Sequence, residues 1–154
     1  MDWQDLLLRL GVAAGCGAVL GIDRELRGKP IGLRTVSLVS VGAALFIIAG
    51  LETIAAAEGR GYNASGDIGR MIQGVTSGMG VLAAGAFLHR SRTIRFATTG
   101  AAVWLSGGIG VAAGLGQFRL VGAATLLALF VLVVLGGIER HTQGSQPPPP
   151  PQGD

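Results

Sequence analysis

The stretch Leu33 to Leu51, LRTVSLVSVGAALFIIAGL, decides the fold. Beyond Arg34 it carries no charge. Wound as an α-helix it is roughly 28 Å long, close to the ~30 Å thickness of a bilayer's hydrocarbon core. Hydrocarbon offers no partner to an open backbone N–H or C=O, so a segment of this kind crosses lipid as a closed helix. Reading outward from it, four further apolar runs have similar lengths: Leu6 to Ile22, Ile68 to Leu88, Thr99 to Leu115 and Leu120 to Ile138. Charged and turn-forming residues separate them at Asp23 to Gly32, Glu52 to Asp67, His89 to Thr98, and in a tight connection at Gly116 to Arg119. The pattern predicts an all-α, polytopic membrane bundle of five transmembrane helices over residues 1–141.

Composition agrees. Of 154 residues, 49% are apolar and 14% charged, with a mean hydropathy of +0.55. A soluble domain carries about 25% charged residues, so this chain lacks the polar surface to remain in water. The 12 basic and 9 acidic residues cluster between the apolar runs. The basic excess lies in separate loops, where retention of positive charge on the cytoplasmic side explains it without nucleic acid. Cys16 stands alone inside an apolar run and reads as packing. Asp2 and Asp5 occupy the place of a positive leader, which favours a retained N-terminus.

Counting basic residues orients the bundle. Arg24, Arg27, Lys29 and Arg34, with Arg90, Arg92, Arg95 and Arg140, fall on one side under five-fold alternation, against Arg60, Arg70 and Arg119 on the other. Eight against three makes the first side cytoplasmic, with the N-terminus out and the C-terminus in. The tail 142–154, with prolines from Pro147 to Pro151, reads as a disordered or polyproline II extension. It is either a simple tail or a docking segment for a proline-recognising domain.

Glycine accounts for 27 residues. Gly11 with Gly15, Gly17 with Gly21, Gly74 with Gly78, and Gly110 with Gly114 are each four apart, which places bare backbone on one helix face. Such faces serve packing within the bundle or between subunits of a homo-oligomer. The fourth run is rich enough in glycine to bend or break. Arg9 sits one turn from Asp5, which favours an exposed pair near the outer boundary over a buried functional arginine. No other ionisable group falls mid-span. A site for a dehydrated divalent cation needs carboxylates at membrane depth, and here they lie at the edges. Ser37, Ser40, Thr76, Ser77 and Ser106 are the polar side chains left inside. His89 and His141 have no recognisable nucleophile or metal partner, and no phosphate-binding glycine loop is present, so no enzyme and no cofactor is expected.

The densest chemistry is the segment Asp23 to Thr35, DRELRGKPIGLRT. Its mixed charges suit internal pairing, and Gly28, Pro30 and Gly32 suit turns. Thr35 is placed to serve the start of the second helix, and Arg34 to reach lipid phosphates or the carboxylates. On the other side Asp67 is placed to cap the third helix and neutralise Arg70.

These residues resemble the membrane domain of the MgtC/SapB family. Three blocks carry the likeness: GAVLGIDRELRGKPIGLRTVSLVSVGAALF from Gly17 to Phe46, RMIQGVTSGMGVLAAG from Arg70 to Gly85, and RFATTGAAVWLSGGIGVAAGLGQF from Arg95 to Phe118. Asp23 stands where the family has glutamate, Val81 and Ala83 replace a phenylalanine and a glycine, and Phe96 replaces a glycine. The chain looks like a member consisting of the membrane domain alone, without the soluble C-terminal domain of longer members. The resemblance implies a bacterial inner-membrane protein linked to growth at low magnesium and survival inside host cells. It implies a regulator of another membrane complex, such as the F-type ATP synthase, with a magnesium or other ion transporter or channel as the alternative. It puts functional weight on Asp23, Arg24, Glu25, Arg34, Thr35, Arg70, Arg95, Thr98, Thr99 and Trp104.

Overall fold

A computed structural model of the chain describes residues 1–29, 31–60, 66–88 and 97–136. They form five helices: α1 (Trp3–Leu26), α2 (Leu33–Glu58), α3 (Asp67–Leu88), α4 (Ala97–Gly114) and α5 (Phe118–Phe130), which continues as a π-helical stretch over Val131–Leu135. Among the described residues there is no strand. By length and composition α1, α2 and the combined Phe118–Leu135 helix can each cross a membrane. The proline-rich tail, Arg90, Arg92, Arg95, Arg140 and both histidines lie outside the described residues.

Local chemistry sets the helix ends. Asp2 caps α1, its carboxylate accepting from the Trp3 N–H at 2.9 Å, and Asp5 in the first turn faces the positive end of the helix dipole. Gly28, at φ +63°, turns the chain out of α1 where an L side chain would be strained. Between α4 and α5, Gly116 adopts φ +75°. Its N–H donates to the Ala113 carbonyl and the Gln117 N–H to the Ala112 carbonyl, each at 2.9 Å. This paired closure satisfies the last carbonyls of α4 and needs a glycine.

Two expected boundaries shift. Asp23, Arg24 and Glu25 do not belong to a loop; they form the last turn of α1. Charge alone does not stop a helix, and Asp23 and Arg27, four apart, pair at 2.8 Å along that turn. Similarly α2 runs beyond Leu51 to Glu58. Asp67 is the first residue of α3 rather than its cap, and pairs with Arg70 at 3.6 Å.

The core lies where α1, α2 and α4 meet. A Cβ at Gly17 would stand 2.9 Å from the Ser37 Cα, and one at Gly21 only 2.6 Å from the Leu33 Cα, so α1 touches α2 backbone to backbone. Gly110 lies against the backbone of Ser40, and a Cβ at Gly114 would approach Ile47 Cβ to 2.8 Å, so α4 presses on α2 from another side. Gly107 and Gly50 receive the side chains of Met79 and Met71 from α3. Close approach of this kind is what small residues permit where lipid gives no hydrophobic push between helices. The glycine-rich α4 runs unbroken: Gly107, Gly110 and Gly114 are clamped by neighbours, and residues Ile109–Gly114 are all buried. The outside is apolar, with Leu7, Leu38, Phe46, Val81, Leu126 and Phe130 all more than half exposed. So many exposed large apolar side chains fit hydrocarbon rather than water.

The other two glycine pairs depart from the packing expectation. Among the described residues, no atom lies within 4 Å of where a Cβ would stand at Gly11, Gly15, Gly74 or Gly78. Gly11 and Gly15 lie on the exposed face of α1, and Gly74 and Gly78 border a groove between α2 and α3.

Candidate functional site

The Asp23 to Thr35 segment is built around a buried arginine. Arg24 follows Ala13, Gly17, Leu20 and Gly21 along the buried face of α1 and is only 2% exposed. Its Nε donates to the Ile31 carbonyl at 2.8 Å, its Nη2 to the Thr99 hydroxyl at 2.9 Å, and its Nη1 reaches the Thr98 carbonyl at 3.5 Å. One guanidinium thus joins the end of α1, the chain entering α2, and the first turn of α4. A buried charge is tolerated when its donors are met, and the planar guanidinium can serve several acceptors at once.

The two flanking acids have separate tasks. Asp23 holds Arg27. Glu25 reaches across the connection and accepts from the Leu33 N–H at 3.0 Å. It therefore caps α2 in place of Thr35, because Gly32 at the cap position has no side chain to offer. Gly32 is part of this fit: a Cβ there would stand 2.9 Å from the Glu25 carboxylate oxygen. The cap bridges eight residues, too far apart for any local capping signature to reveal it.

The remaining candidates do not all converge. Thr99 is buried against Arg24, whereas Thr98 is exposed and contributes its backbone. Arg34 and Thr35 are exposed on the first turn of α2. Trp104 is 48% exposed on the outer face of α4, and Arg70 lies beside Asp67 near the start of α3. Arg95 lies outside the described residues.

At the opposite end of α1 a second arginine makes a similar joint. Arg9 pairs with Asp5 at 2.9 Å and also donates to the Gly114 carbonyl at 2.7 Å. It is therefore a clamp between α1 and the end of α4 rather than a pair extended toward water. Inside the bundle Ser106 and Thr125 donate to carbonyls of their own helices, and the buried Ser40 hydroxyl has no partner among the described residues. Among the described residues no three His, Cys, Asp or Glu side chains gather where they could hold a metal ion.

The MgtC family model matches residues 10–141. The chain is similar to SrpB of Synechococcus elongatus, at 36% identity over 90% of this chain and 78% of that protein. It is similar to MgtC of Salmonella typhimurium, at 36% identity over 84% of this chain and 52% of that protein. To SapB of Bacillus subtilis it is 33% identical over 88% of this chain and 59% of that protein. The chain thus spans little more than half the length of the MgtC and SapB proteins it matches. No solved structure matches it.

Proposed function

The chain belongs to the MgtC family, and from that premise we propose that it is a multi-pass inner-membrane regulator, acting by helix contact on another membrane complex during adaptation to low magnesium. One observation carries this reading. The bundle uses two of its glycine pairs, Gly17 with Gly21 and Gly110 with Gly114, for its own closest contacts, and leaves Gly11 and Gly15 bare on the exposed face of α1. A four-apart glycine face without a neighbour among the described residues is what an approaching transmembrane helix needs.

The fate of the carboxylates favours contact over transport. Asp5 and Asp23 hold arginines and Glu25 caps α2. A pathway for a hydrated dication needs carboxylates that can replace its water. The F-type ATP synthase membrane sector is one candidate partner, and a second copy of the chain is another. The Arg24 joint would be cytoplasmic under this reading.

Two experiments divide the readings. Purified protein in sealed liposomes is expected to pass no ion above empty vesicles. Affinity purification from native membranes is expected to bring down a discrete membrane complex that Gly11→Leu with Gly15→Leu releases. Ion flux well above background, or a complex retained by the double variant, would overturn the proposal.

A further inference from the structure

The cavity between α2 and α3 encloses about 760 Å³ and is lined almost wholly by apolar groups. Leu38, Gly42, Phe46 and Gly50 form its α2 wall at intervals of four, with Gly74 and Gly78 opposite on α3. Met71 closes one end against Gly50. At the other end Thr35 lines the mouth, and Arg34, four residues before Leu38, continues the same line of α2. Among the described residues, Gly42, Gly74 and Gly78 have no neighbour within 4 Å of a Cβ position. The groove is thus shaped by side chains that are missing.

We propose that this groove binds one acyl chain of an anionic phospholipid, whose phosphate is held at Arg34 and Thr35. Leu38 to Gly50 runs roughly 18 Å along α2, and over that length the lining is almost wholly apolar. Leaving such a trough empty would forfeit dispersion contacts along its whole length.

Charge favours an anionic head. Arg34 is exposed and, among the described residues, in no ion pair, while Asp23 is bound to Arg27 and Glu25 to the start of α2. Lys29 is exposed nearby in sequence. A phospholipid places an apolar tail and an anion in one molecule, matching a greasy trough that ends at a cation. Basic sites between helices near the cytoplasmic surface bind lipid heads in this manner. The inference stands apart from the regulatory reading, because it requires only the groove and its mouth.

The test is native mass spectrometry of the full chain released from detergent with phosphatidylglycerol, phosphatidylcholine or inorganic phosphate added. One phosphatidylglycerol should be retained in preference to phosphatidylcholine, and inorganic phosphate should not displace it. Arg34→Gln should weaken retention about fivefold, the factor equivalent to about 1 kcal/mol per basic residue at an anionic surface. Gly42→Leu, and separately Gly78→Leu, should abolish retention while thermal unfolding stays near wild type, since both positions have open space. Arg60→Gln, on the far side of α2, should change nothing. Undiminished retention in both leucine variants and in Arg34→Gln would overturn the proposal. So would equal uptake of phosphatidylcholine, displacement by phosphate alone, or a photo-crosslinker at Leu38 capturing protein instead of lipid.

Discussion

Replacing Thr99 with valine deletes one hydroxyl from the interior of the α1–α4 joint and keeps the side-chain shape. The hydroxyl accepts from Arg24 Nη2 at 2.9 Å in a buried setting, and a hydrogen bond to a charged group contributes about 1.5–3 kcal/mol. Arg24 keeps the Ile31 carbonyl at 2.8 Å, so the guanidinium is not wholly orphaned, and the loss should be about 2 kcal/mol. For a chain of this size that lowers Tm by about 4–8 °C. Arg24→Met removes every donor while keeping an unbranched stem, and leaves the Ile31 carbonyl and the Thr99 hydroxyl without it, at about 1–3 kcal/mol for each group. The double variant should be scarcely worse than Arg24→Met alone, because the valine then removes an acceptor that no longer has a donor. A double-mutant cycle from thermal unfolding in one detergent should give a coupling of about 1.5–3 kcal/mol. Additivity within about 0.5 kcal/mol would refute the joint.

Three further outcomes follow from the contacts. Gly110→Ala places a Cβ against the Ser40 backbone and should destabilise by about 1–3 kcal/mol, whereas Gly11→Ala, with open space around it, should stay within about 1 kcal/mol of wild type; thermal unfolding of both reads this. Arg9→Gln loses the 2.9 Å ion pair with Asp5 and weakens the clamp on Gly114, so hydrogen exchange at the α4–α5 turn should rise. In a low-magnesium growth assay Arg34→Gln should impair function more than Arg60→Gln, and equal behaviour would remove Arg34 from the site.

The helices were legible because each apolar run is long and uninterrupted. Leu33 opens α2 both in the hydropathy pattern and in the structure. Helix ends were less legible, since Asp23–Glu25 are polar yet helical, and hydropathy cannot distinguish a charged last turn from a loop. Arg24 shows the same difficulty within the site. Its charge suggests an exposed anchor, yet it lies three residues after Gly21 and seven after Gly17, on the glycine face that meets α2. That spacing was the available signal. The Glu25 cap and the Thr99 contact depend on tertiary approach across eight and 75 residues, which no local pattern encodes. Four-apart glycines did not by themselves separate internal contact from open surface, because the spacing defines a face but not what it meets.

Cysteine labelling of intact cells checks the topology, with Cys16 replaced and single cysteines placed at Lys29 and at Arg60, the exposed positions that follow α1 and α2. A membrane-impermeant maleimide should label the cysteine at position 60 in intact cells and the cysteine at position 29 only after permeabilisation. Equal labelling of both without permeabilisation would put the two ends of α2 on one side of the membrane and contradict a membrane-crossing α2.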